Sequence, residues 1–91
     1  MEKYLSTRRW VITLNNVRAR CNNKKNPKYK NYGGRGIKTF LSRDNMKYLW
    51  FRDKAGNMTQ PSIDRINNDD HYTLENSRFI EMEDNRKKRF Y

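Results

Sequence analysis

The chain has 91 residues, enough for one small domain, and carries 21 Lys and Arg against 10 Asp and Glu, a formal charge of +11. One Cys and one His exclude a disulfide framework and any zinc site built from Cys and His sets. No apolar run approaches the roughly 18 residues of a membrane span, and the opening MEKYLSTRRW lacks the apolar stretch of a secretory signal. The expected location is therefore the cytoplasm, without secretion.

Leu, Ile, Val and Phe make up 16 of the 91 residues, below the roughly 20% at which high net charge begins to favour disorder. Six Tyr, four Phe and two Trp pull the other way, because each aromatic ring buries a large area. The expectation is a folded but thinly cored domain, steadied by a ligand, metal or partner.

In chain order, Trp10, Leu14, Val17 and Cys21 recur at helical spacing, and Ser6 or Thr7 offers an N-cap. Cys21 closes this stripe and reads as a small buried hydrophobe. Residues 22–36 (NNKKNPKYKNYGGRG) form a polar, turn-rich connector with Pro27 and the Gly33-Gly34 pair. Gly36–Leu41 (GIKTFL) alternates as a short strand. Ser42 or Asp44 caps a second helix near 44–55, with Met46, Leu49, Trp50 and Phe51 on its buried side and Gly56 at its C-terminal turn. SIDRI after Pro61 reads as a strand, NNDDH as a turn and SRFI as a second strand. From Glu81 to about Arg89 the chain reads as helix, acidic in its first turn and basic in its last, as the helix dipole favours.

The charge is uneven. Eleven basic residues and no acid lie between Lys3 and Lys38, and seven of the ten carboxylates fall in residues 61–91. A basic surface beside an acidic pocket can hold phosphates together with a divalent cation. Nucleic acid is the leading partner.

SIDRINNDDHYTLENSRFIEMEDN resembles the core of the HNH nucleases, in the variant common in small phage and intron-borne proteins. The upstream block NPKYKNYGGRGIK resembles the segment that often precedes this core, so the likeness spans roughly Arg18 to Arg89. It implies an α+β class: a small ββα-metal core over 61–91, preceded by helices and a short strand in a basic, DNA-contacting part over 1–60, all in one domain. By position, Asp64 is the metal ligand on the first strand, Asn85 the ligand on the helix, and Asn76 the clamp of the loop between strands. The 21-residue spacing of Asp64 and Asn85 is compatible with one ligand on a strand and one on the returning helix. The implied cofactor is Mg²⁺, with Mn²⁺ as substitute, since a hard cation accepts one or two protein oxygens plus water and phosphate.

Where the family usually has its catalytic His, this chain has Arg65. Arginine is no general base, because its pKa exceeds 12; it holds phosphate or stabilises developing charge. Three alternatives follow: His71 activates water, the metal alone supports slow hydrolysis, or the protein binds DNA without cutting it. Asp84 stands where many relatives are acidic, and Lys88 where some carry a further Asn. The expected DNA contacts are Lys24, Lys25, Lys28, Lys30, Lys38, Arg78, Arg86 and Lys87, with Tyr32 and Arg35 beside the glycine turn. The expected activity is metal-dependent cleavage of duplex DNA, by nicking or double-strand cutting, and a homodimer would double the footprint. The alternatives are an inactive HNH-like binding module, or subunit of a phage assembly, and an RNA binder that uses its tyrosines for stacking.

Overall fold

A computed structural model describes residues 2–88, with side chains from Arg9 onward. The stripe Trp10, Leu14, Val17 and Cys21 is buried along helix α1, Glu2–Asn22. This helix begins before Ser6 and Thr7, so neither residue caps it. The connector that follows is tied into two short 3-10 turns, Tyr29–Asn31 and Gly33–Arg35. Gly33 is needed where the connector crosses the end of α1, because a Cβ there would run into the Cys21 carbonyl. Gly36 then turns the chain at φ +85, a conformation that costs glycine little.

The strand expected over Gly36–Leu41 is reduced to one bridge, between Thr39 and Tyr72. Tyr72 offers this segment one residue rather than a partner strand: its N–H donates to the Lys38 carbonyl, and its own carbonyl accepts from Phe40. Helix α2 spans Arg43–Arg52 and is capped by Ser42, whose side chain exchanges bonds with Asn45 in a capping box. Met46, Leu49 and Trp50 are buried as expected, but Phe51 is 60% exposed. The rotation of one residue beyond Trp50 turns it off the inner face, and its ring meets that of Trp10 edge-to-face at 5.6 Å. The helix ends at Asp53 with Lys54, not Gly56, in the left-handed conformation. Asp53 enforces this stop, since its carboxylate accepts from the Phe79 N–H at 2.8 Å and ties the helix end to the sheet.

Strands β1 (Pro61–Arg65) and β2 (Ser77–Glu81) pair antiparallel, with Ile63 opposite Phe79 and Asp64 opposite Arg78. Helix α3, Met82–Lys88, follows directly; its expected extension to Arg89 lies outside the described residues. The class is α+β. Side chains alternate across the strands, so Ile63 and Phe79 enter the core while Asp64 and Arg78 face away from it. Trp50 joins the layers: its ring lies 6.1 Å from Trp10 and 5.3 Å, edge-on, from Phe79. Among the described residues no helix is long and apolar enough to cross a membrane.

Candidate nucleic-acid interface

Asp64 faces out of the two-stranded sheet, yet it is only 4% exposed because α3 covers that face. Asn85 and Lys88 are three apart on α3 and therefore share one side of it. Asn85 donates through Nδ2 to Ser62 Oγ at 2.8 Å and to the Ile63 carbonyl at 3.2 Å, fixing the helix over β1. Lys88 reaches one turn further. Its Nζ donates to Asp64 Oδ1 at 3.0 Å, to Oδ2 at 3.1 Å, and to the carbonyls of Arg65 and Ile66. Arg78 Nε donates to Asp64 Oδ2 at 2.9 Å from the neighbouring strand. A buried carboxylate is tolerable only when paired, and here two cations serve it.

The 66–76 loop is organised by Asn76. Its Oδ1 accepts from the Asn67 N–H at 2.8 Å, and its Nδ2 donates to the carbonyls of Asn67 and His71. Inside the loop, Arg65 Nη1 donates to the carbonyls of Asn68 and Asp70. The Arg65 guanidinium also lies 5.2 Å from the Tyr32 ring centre and 5.3 Å from that of Tyr72, and these two rings stack on each other. Arg65 is thus partly spent on holding the loop to the connector, a structural duty that sequence reading had not given it. Burial pushes the Tyr72 hydroxyl up to about 12, assisted by Tyr32, while Arg20 and Arg65 pull the other way. Burial likewise raises the Cys21 thiol, which remains an inert member of the core.

Between the connector, β1 and α3 lies a cleft of about 430 Å³, into which Asp64, Arg65, Asn85 and Lys88 all open. Arg20, Lys28, Arg35 and Arg86 complete its basic lining, with Tyr32, Asn31 and Asn68 between them. Six basic side chains therefore surround one carboxylate. The structure brings together Asp64, Arg65, Asn85, Lys28, Tyr32, Arg35 and Arg86 from the sequence expectations. Lys24, Lys25, Lys30, Lys38 and Lys87 are exposed outside the lining, and Lys87 approaches Glu83 at 3.6 Å. Arg78 is spent on Asp64, and Asn76 acts inside its loop.

His71 is not part of this lining. Its Nδ1 accepts from the Lys38 N–H at 2.9 Å, and its ring lies edge-on to Phe40, 5.7 Å away. The bond that orders the 36–41 segment thus directs His71 away from the site where water activation was expected of it. Asp84 is exposed on α3 and makes no described contact with Asp64.

The donor set around Asp64 is a poor match for the divalent ion that the resemblance implies. Among the described residues no three His, Cys, Asp or Glu side chains gather. Asp64 and the Asn85 amide would supply two oxygens, but both oxygens of Asp64 already accept from Lys88 and one of them from Arg78. Two unit charges about 4 Å apart interact by about 4 kcal/mol at an effective dielectric near 20, and a divalent ion doubles this. Such an ion beside the Lys88 ammonium would be repelled, so the arrangement does not fit a metal as it stands. It fits an anion.

No known protein family, curated protein or solved structure matches the chain. The site therefore rests on its own geometry. Arg20, Asn31, Ser62, Asn68 and, above all, Lys88 escaped sequence reading as contributors. The i, i+3 relation of Lys88 to Asn85 was the available signal, because any residue there returns to the strand that carries Asp64.

Proposed function

We propose that this protein binds duplex DNA and seats a backbone phosphate in the cleft between the connector and α3. The observation that carries the proposal is the lining: beyond Lys88, which neutralises Asp64, and Arg65, which holds its loop, four further basic side chains face the cleft. Arg20, Lys28, Arg35 and Arg86 come from three separate segments and line one volume, and the exposed pair that Arg35 makes with Asp69 at 3.0 Å is one that a phosphate can replace. The exposed lysines of the connector extend the positive surface along the flanking backbone, where each phosphate contact adds to salt-dependent affinity. Fluorescence anisotropy on a short duplex, with a NaCl titration, tests this reading. Binding should resist EDTA, weaken steeply with salt, and fall roughly tenfold in the double variant Lys28→Ala/Arg35→Ala. Salt-insensitive binding, or preference for single-stranded RNA, would overturn it.

A second reading, hydrolysis of the HNH type, has one observation in its favour: Asp64, Arg65 and Asn85 open onto the same cleft, while Asn76 bridges the loop as the resemblance implies. Supercoiled plasmid incubated with Mg²⁺ or Mn²⁺ separates the two. Binding alone leaves the plasmid supercoiled; relaxed or linear product that disappears with EDTA and in Asp64→Ala would establish the nuclease.

A further inference from the structure

The environment of the Lys88 ammonium is unusual for a surface lysine. Four oxygens surround it: both carboxylate oxygens of Asp64 and the main-chain carbonyls of Arg65 and Ile66. An ammonium has three protons, so at least one of them is shared between acceptors. An oxygen-only shell of this kind, converging from one strand end and one buried side chain, is also the donor set that a hard metal cation selects. Asn85 lies beside it on the same helix face and opens onto the same cleft. The lysine is 27% exposed at its side chain while its Asp64 partner is 3% exposed, so the ammonium plugs the carboxylate from the solvent side.

We infer that Lys88 is a resident cation that fills the cation position at Asp64 and closes it to divalent ions, and that removing the ammonium opens a divalent-cation site. The ligands of that site would be Asp64, the carbonyls of Arg65 and Ile66, and Asn85. Lys88 would act so in the free protein, whether or not DNA is bound. This role accounts for the disagreement between a sequence that resembles a metal-dependent nuclease and a cleft whose one carboxylate is already paired. Arg78 does not replace Lys88 in this role: it meets Asp64 from the neighbouring strand through Oδ2, and its half-exposed side chain can turn to solvent when a new cation arrives.

The test uses Mn²⁺ alone, titrated into wild type, Lys88→Ala and Lys88→Ala/Asp64→Asn, with free Mn²⁺ read by electron paramagnetic resonance and folding checked by circular dichroism. Lys88→Ala should bind one Mn²⁺ at least tenfold more tightly than wild type, and the double variant should lose this gain. Equal binding by wild type and Lys88→Ala, or none by either, would overturn the inference. A second measurement needs no variant. Millimolar Mn²⁺ should leave the wild-type backbone amide signals of Ile63, Asp64 and Asn85 unbroadened in NMR spectra, and selective broadening of all three would show that Lys88 does not close the site.

Discussion

At the scale of single residues, the structure separates polar groups that are served from one, among the described residues, that is not. Asp64 has two cations and Asn76 three hydrogen bonds, but Ser77 Oγ is buried without a partner. An unpartnered buried hydroxyl forfeits its solvation, at a cost of about 1–3 kcal/mol. Ser77→Ala removes that cost with one small atom, and the expected result is a gain of about 1 kcal/mol. For a domain of this size that is a rise of roughly 4–8 °C in Tm, measurable by thermal denaturation; a fall in Tm would show that the hydroxyl has a partner. Asn76 makes the opposite case. Asn76→Ala removes three bonds at once and leaves the Asn67 N–H and two carbonyls to find other partners, so a loss of about 1–3 kcal/mol is expected. Amide hydrogen exchange would locate the damage: Asn67 should lose protection, while Leu49 in the middle of α2 should keep it in proportion to global stability.

At the scale of elements, the hairpin and α3 are held by side chains that reach across chain breaks in the pattern. Glu81 ends β2 and accepts from the N–H groups of Thr59 and Gln60, each at 3.0 Å, while the Met82 N–H donates to the Gln60 carbonyl. The start of β1 and the start of α3 are therefore one knot. Glu81→Ala should destabilise the fold by about 1–3 kcal/mol, because bonds from backbone N–H to a carboxylate are charge-assisted; denaturation in urea checks it, and an unchanged midpoint would deny the knot any role. Here sequence reading worked where periodicity decides and failed where a distant partner does. The stripe on α1 and Met46, Leu49 and Trp50 on α2 follow from spacing, though Phe51 beside them does not, and the two strands follow from short β-like runs between turn residues. The lost strand at 36–41, the end of α2 at Asp53 and the seating of the Arg65 guanidinium on an aromatic ring depend on Tyr72, Phe79 and Tyr32 respectively, each far in sequence from the group it meets. The site divides in the same way: Asp64 and Asn85 were legible from the motif, whereas the ammonium that occupies Asp64 becomes visible only once α3 lies on β1.

At the scale of the whole molecule, the basic first part and the hairpin share one core, through Trp10, Trp50 and Phe79 on one side and through Tyr32, Arg65 and Tyr72 on the other. Tyr72 belongs to the second seam, bridging Thr39 in the main chain and stacking on Tyr32. Its hydroxyl, pushed up to about 12 by burial, links that seam to pH. The ordinary tyrosine value near 10 holds in the unfolded chain. Below that pH both states keep the proton and Tyr72 favours neither. Between about 10 and 12 the unfolded chain releases the proton while the folded chain retains it, so stability falls as pH rises through this window. The loss amounts to roughly 2–3 kcal/mol when complete, a large share of the margin of a domain with so few aliphatic residues. Urea denaturation of wild type and Tyr72→Phe at pH 8 and at pH 11.5 isolates the contribution, because lysine titration is common to both proteins. Wild type should lose more stability than Tyr72→Phe between the two pH values, and the two halves should unfold together, with tryptophan fluorescence and far-UV circular dichroism giving one midpoint. Equal losses would mean that the Tyr72 hydroxyl reaches solvent and that the seam between connector and hairpin is open.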